Sequence, residues 1–210
     1  NGRHLRNARL AAKIVGRGEI TGSFFHAESR NKYGRIAMTA SLMEVYERLF
    51  SAYGPQHWWP GETPFEVMVG AMLVQNTAWR NTEKAIRNLA DQELLSPQAL
   101  YDVPEEELAE LIHSAGYYRM KARRLRNLLK LVVEDYDGSL DEMFQTGPAE
   151  LREKLLSVNG IGPETADSIL LYAAQLPSFV VDTYTHRVFA RHGWIGFDAG
   201  YDEIKEHFEY

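Results

Sequence analysis

From Met38 onward, apolar residues recur three and four positions apart, the period of a helix with one buried face. Leu42, Val45, Tyr46 and Leu49 share such a face, and Gly54-Pro55 ends it. Pro64 opens an apolar segment, Phe65 to Val74, that is too long and too rich in Ala, Met and Leu for a strand; helix resumes over 79–90. Further starts are written at Ser96-Pro97, with proline at the first helical position, and at Val103-Pro104, followed by three glutamates that suit a helix N-terminus. That helix carries Leu108, Leu111 and Ile112 and stops at Gly116. A basic helix follows from Tyr118, and Ser139 with Glu142 spells a capping box. Pro148 and Pro163 open two more helices, the second predicted to run to Leu176-Pro177, and a last one starts near Tyr184. Nothing alternates with period two, so the predicted class is all-α.

Residues 1–37 show no sustained period and read as a basic tail or a non-native extension. They hold eight of the chain's 23 Lys and Arg but two of its 29 acids, so the remainder is acidic by twelve charges within a net of -6. Such a body binds nucleic acid only through a local patch or through backbone N–H groups. No apolar run approaches the ~18 residues of a membrane span, and no signal peptide is visible. A cytoplasmic protein is expected, working at the nucleoid in a bacterium or in the nucleus of a eukaryote. The chain has no cysteine, which removes thiol nucleophiles and thiolate metal sites from these residues. It begins at Asn1 and stops at Tyr210 inside an amphipathic pattern, which reads as a fragment.

The chemistry concentrates in residues 155–188, LLSVNGIGPETADSILLYAAQLPSFVVDTYTHRV. Two helices flank a short turn with Gly160 and Gly162, where glycine permits positive φ and a close approach to a ligand. The turn and the first N–H groups of the next helix make an anion site that fits a DNA phosphate, although a plain helical turn also uses glycine. About one helix further on stands Asp182, a carboxylate that serves either as a helix N-cap or as a catalytic group.

On these residues the chain resembles the endonuclease III branch of the helix-hairpin-helix base-excision DNA glycosylases, over about residues 40–210. The resemblance implies two helical domains with a DNA-binding cleft between them: 38–62 with 178–210 as a terminal domain cut short at its end, and 63–177 as a helical barrel domain with the hairpin at 155–170. It places Gly160, Ile161, Gly162 and Thr165 on the DNA backbone, a monovalent cation at carbonyls near Val158 and Ile161, and Asp182 at the flipped nucleotide. Gln75 matches the residue that fills the gap left by that nucleotide.

One departure sets the subclass. Endonuclease III continues its hairpin Gly-Val-Gly-Arg-Lys-Thr-Ala, and the lysine forms a Schiff base; here Glu164 holds that position, and a carboxylate forms no imine. Lys121 and Lys154 are not obvious replacements. A monofunctional glycosylase is therefore expected. The segment Trp58-Trp59-Pro60 and the aromatic Trp79 after Gln75-Asn76-Thr77 are similar to the 3-methyladenine glycosylases of the branch, in which the matching residues line the base pocket. Each tryptophan also suits a plain core. The adenine mismatch glycosylases carry a catalytic Glu where this chain reads Gly70-Ala71-Met72, which counts against that subclass.

The expected partner is duplex DNA with a damaged, alkylated base, and the expected state is a monomer. Oxidised pyrimidines are the alternative substrate, and a non-catalytic hairpin module is the alternative role. The resemblance also implies a [4Fe–4S] cluster on four cysteines beyond residue 210, or membership of the cluster-free relatives. On the basic helix, Arg119, Arg123 and Arg126 share a face that either pairs with nearby acids or meets phosphate, with Lys121 and Arg124 beside it. Arg187 is expected to pair with an acid, and His186 has no evident partner.

Overall fold

A computed structural model describes residues 42–56 and 59–209. The basic N-terminal tail and Trp58 lie outside them. The helices are α1 (Leu42–Tyr53), α2 (Pro64–Leu73), α3 (Trp79–Asp91), α4 (Pro97–Asp102), α5 (Glu105–Leu111), α6 (Tyr118–Tyr136), α7 (Leu140–Gln145), α8 (Pro148–Ser157), α9 (Pro163–Ser168), α10 (Thr183–Arg191) and α11 (Tyr201–Glu209). A 3₁₀ turn spans His113–Ala115, and a π-helical turn, Ile169–Ala173, continues α9. There is no strand among the described residues, as the all-α expectation requires.

The helix starts follow their capping residues. The side-chain oxygens of Thr63, Ser96 and Ser139 accept the N–H of Glu66, Ala99 and Glu142, at 3.1, 3.4 and 3.2 Å. Only the forward half of the expected capping box forms at Ser139, whose own N–H goes to the Tyr136 carbonyl. The second hairpin helix is shorter than its sequence suggests. After Ser168 the bonding widens, Ala174 N–H reaching Ile169 and Leu176 N–H reaching Leu170, and Gln175 in a left-handed conformation (φ 57°) ends it.

The chain divides into two compact units, one of residues 59–178 and one holding the described residues up to 56 together with 179–209. The larger unit is built around α2. Eight of the ten α2 residues are buried, the signature of a helix enclosed on all sides. Around it, Leu89, Leu108, Ile112, Leu125, Leu128, Leu129, Leu151 and Leu155 close one continuous core. Residues 59–62, expected with the terminal domain, belong to this unit. Trp59 packs on α2, where a side-chain carbon on Gly70 would come within 3.1 Å of the indole.

The smaller unit has its own core of Val181, Ile204 and Phe208, flanked by Leu42, Phe179, Phe189 and Trp194. Phe208 stacks with Phe179 and Phe189 at 5.0 and 4.3 Å between ring centres. Lys205 ties its helix to the entering chain, donating to Glu209 at 2.6 Å and to the Phe179 carbonyl at 3.3 Å.

One buried group in the larger core is unsatisfied. Thr82 on α3 is fully buried, and its hydroxyl has no hydrogen-bond partner among the described residues. A buried hydroxyl without a partner costs about 1–3 kcal/mol relative to an apolar group of the same shape. Thr82→Val is therefore expected to stabilise the protein by about 1 kcal/mol, raising the melting temperature by roughly 2–4 °C. A lowered melting temperature would show that the hydroxyl is bonded in solution.

Candidate functional site

The hairpin is a turn of five residues, 158–162, between α8 and α9. Ile161 N–H bonds the Val158 carbonyl at 3.0 Å, and Gly160 has φ 103°. A side chain at Gly160 would be strained by that φ and would overlap the Cγ of Arg124, so only glycine fits. Gly162 precedes Pro163 and supplies no side-chain cap to α9. Among the described residues the N–H groups of Gly160 and Gly162 meet no acceptor, while Asn127 and Gln75 take up the carbonyls of Asn159 and Gly160. The turn thus has the carbonyls of Asn159 and Gly160 engaged by the protein and backbone N–H groups left for an anion.

A buried ion pair braces the hairpin. Asp167 of α9 is fully buried and accepts Nε and Nη2 of Arg152 of α8 at 3.0 and 3.1 Å, and the Ser178 hydroxyl at 2.7 Å. The bidentate geometry fixes the angle between the two helices on which the turn is mounted. The motif signal gave no warning of this pair.

Gln75 lies in the turn after α2 and is half-buried. Its Nε2 donates to the Gly160 carbonyl at 3.3 Å and the Thr165 hydroxyl at 3.0 Å, and its Oε1 accepts Nη1 of Arg124 at 3.0 Å. The structure therefore brings Gln75, Gly160 and Thr165 together, three of the residues singled out in the sequence, and adds Arg124. Of the three α6 arginines expected to pair with acids or meet phosphate, only Arg123 meets an acid among the described residues. Arg126 donates to the carbonyls of Tyr101 and Val103, Arg123 sits 3.5 Å from Glu105, and Arg119 lies over the Tyr118 ring.

Neither candidate lysine is poised as a nucleophile. Lys121 is buried, and its Nζ donates to the carbonyls of Leu73 and Ala115 at 2.8 and 2.7 Å. Burial, with the nearby Arg124 charge, pulls its pKa below the usual lysine range, but both carbonyls hold it inside the core. Lys154 has its pKa raised by the Tyr136 hydroxyl and then by Glu150, so it stays protonated. Glu164 is exposed in the first turn of α9.

Two of the pocket candidates meet. Trp59 and Trp79 contact edge to face at 5.6 Å, and Tyr172 of the π turn approaches Trp59 at 5.8 Å. All three are half-buried against the larger core, and Pro60 is exposed. Tyr172 escaped the sequence reading. Its signal was a single phenol in the apolar run Ile-Leu-Leu-Tyr-Ala, on the helix that leaves the hairpin.

In the smaller unit, Asp182 is the N-cap of α10. Its Oδ1 accepts the Thr185 N–H at 2.6 Å and the Thr185 hydroxyl at 2.7 Å. Both bonds fall on one oxygen, so the cap orients the carboxylate and leaves Oδ2 to other partners. The cap and the catalytic reading are thus compatible. Arg187 lies over the Tyr184 ring and is exposed, and no acid pairs with it among the described residues.

Residues 69–210 match the family described as the HhH-GPD superfamily of base excision DNA repair proteins. A candidate DNA repair glycosylase of Methanocaldococcus jannaschii is 52% identical over 170 residues, covering 80% of this chain and 77% of that protein. Endonuclease III of Thermotoga maritima is 35% identical over 63% of this chain and 58% of its own length. Among solved structures, the Helicobacter pylori 3-methyladenine DNA glycosylase bound to 1,N6-ethenoadenine superposes with a TM-score of 0.69 at 32% identity, over 79% of each chain. A non-covalent endonuclease III–DNA complex gives 0.68 at 25% identity, over 79% of this chain and 73% of that one.

Proposed function

Because the chain belongs to the HhH-GPD superfamily of base excision DNA repair proteins, we propose that it hydrolyses the N-glycosidic bond of an alkylated base in duplex DNA and leaves the strand uncut. The carrying observation is a pairing of residues: a capped carboxylate at Asp182, with Glu164 where the lyase lysine of endonuclease III stands. Loss of the base builds positive charge on the sugar, as in glycoside hydrolysis. The Asp182 carboxylate stabilises that charge and orients the attacking water. The base must first leave the stack, and Gln75 fills the space it vacates.

The free N–H groups of the hairpin hold a backbone phosphate. Carbonyl oxygens such as those of Val158 and Ile161 suit a monovalent cation, which would neutralise phosphate charge there. The chain's lack of cysteine means that these 210 residues hold no thiolate ligand for an iron–sulfur cluster. Trp59 and Trp79, with Trp58 and Pro60 by resemblance, offer aromatic faces to an electron-poor methylated purine. The similarity to the 3-methyladenine glycosylase supports this choice of base.

Duplexes each carrying one lesion test the reading. Methylated purine is expected to be released at least tenfold faster than any oxidised pyrimidine, consistent with ~1.4 kcal/mol or more of stacking preference. Borohydride is expected to trap no protein on DNA. Preferred release of oxidised pyrimidine would transfer the chain to the alternative substrate class, and efficient trapping would show that a lysine has replaced the one lost at Glu164.

A further inference from the structure

Three polar residues of α6 lie three apart on a face otherwise made of Ala122, Leu125, Leu128 and Leu129, and each grips a different part of the larger unit. Lys121 holds the Leu73 carbonyl, at the end of α2 just before Gln75. Arg124 holds the Gln75 side chain and lays its aliphatic stem against Gly160. Asn127 holds the Asn159 carbonyl at 3.0 Å. The stripe thus joins the Gln75 turn to the hairpin, two segments 85 positions apart in the chain.

Arg124 is the member with a choice to enforce. A guanidinium only donates, so the Gln75 atom facing it must be Oε1. That leaves Nε2 to donate to the Gly160 carbonyl and the Thr165 hydroxyl. Without Arg124 only the longer contact to the Gly160 carbonyl, at 3.3 Å, would oppose a rotated amide, because the Thr165 hydroxyl accepts or donates equally well.

We infer that Arg124 is a positioning residue that acts on DNA through Gln75: it fixes the orientation of the Gln75 amide and locks that side chain to the hairpin, so that the backbone clamp and the gap-filling group engage damaged DNA as one body. This rests on the functional reading above for the role of Gln75. A direct phosphate contact is the competing role for an arginine on a basic helix. Against it stand the half-burial of Arg124, its bond to Gln75 and the packing of its stem against Gly160.

A double-mutant cycle on affinity for a duplex with a stable abasic-site analogue separates the two roles. Arg124→Met keeps the stem over Gly160 and removes the donor; Arg124→Gln is the second variant should Met disturb packing. Either is expected to weaken binding about tenfold in the parent, the usual scale for a charge-assisted bond, and less than about twofold when Gln75 is already Ala. The slope of log affinity against log salt is expected to stay that of the parent. Equal losses in both backgrounds, or a slope reduced by about one phosphate, would overturn the inference. Loss of binding in neither background would overturn it as well. A parent that fails to prefer the abasic duplex over an intact one would sink the functional reading and this inference with it; additive losses in a protein with that preference would sink this inference alone.

Discussion

Replacing Asp182 with Asn is expected to lower base release by roughly 10²–10³-fold while leaving fold and DNA binding intact. The substitution is informative because of the cap. Oδ1 of Asp182 accepts both the Thr185 N–H and the Thr185 hydroxyl, and an asparagine carbonyl accepts the same two donors. Asn and Asp cap helices about equally, so α10 should lose no more than a few tenths of a kcal/mol. What disappears is the negative charge, and Oδ2 becomes a donor where a carboxylate oxygen stood. Single-turnover release of a methylated base, measured beside thermal melting, checks this. A variant that melts like the parent and retains its rate would remove Asp182 from the chemistry and leave it only the cap. Asp182→Ala gives a less clean answer, because it removes cap and charge together.

The second large effect lies in the hairpin brace. Asp167→Ala is expected to destabilise the protein by about 3–5 kcal/mol, the range for a buried pair stripped of one partner. The cost comes from three lost bonds to a fully buried carboxylate: two from Arg152, whose side chain is 24% exposed, and one from the Ser178 hydroxyl. At roughly 2–4 °C per kcal/mol for a chain of this size, the melting temperature should fall by about 10 °C or more. Replacing both partners with apolar residues of similar volume should recover most of the loss, because neither the carboxylate nor the guanidinium then has to be taken out of water. A double variant as unstable as the single one would mean that the Asp167 site contributes through its packing and its Ser178 bond, not through the ion pair.

The helical class and nearly every helix start were legible in the sequence because they rest on local chemistry: Thr63, Ser96 and Ser139 ahead of their helices, and prolines 64, 97, 148 and 163 at first positions. The end of the second hairpin helix was not. Its apolar spacing continues to Leu176, and the widening at Ile169–Ala173 depends on hydrogen bonds that leave no mark in hydropathy. The hairpin was legible as a motif because Gly160 answers to a backbone requirement at φ 103°.

Its supports were hidden, since they come from far along the chain. Arg152 and Asp167 look like ordinary surface charges until the two helices are folded together, and Arg124 looks like one basic residue among the six on its helix. The face first suggested by spacing, Arg119, Arg123 and Arg126, proved to be the one turned to Tyr118, Glu105 and the carbonyls of Tyr101 and Val103. The informative face was Lys121, Arg124 and Asn127, whose mark in the sequence is polarity set among leucines. The Asp182 alternatives could not be separated by sequence because they do not compete: a cap needs one carboxylate oxygen, and the proposed chemistry uses the other.

The most direct test measures product and strand together. A duplex carrying a single methylated purine is incubated with the protein, free base is quantified by mass spectrometry, and strand length is read before and after alkali. Free base equal in amount to alkali-labile sites, on a strand intact until alkali is added, is the result predicted for a glycosylase that works through a carboxylate and carries no lyase lysine. Strand breaks that appear without alkali in step with the base, or no base released, would contradict it.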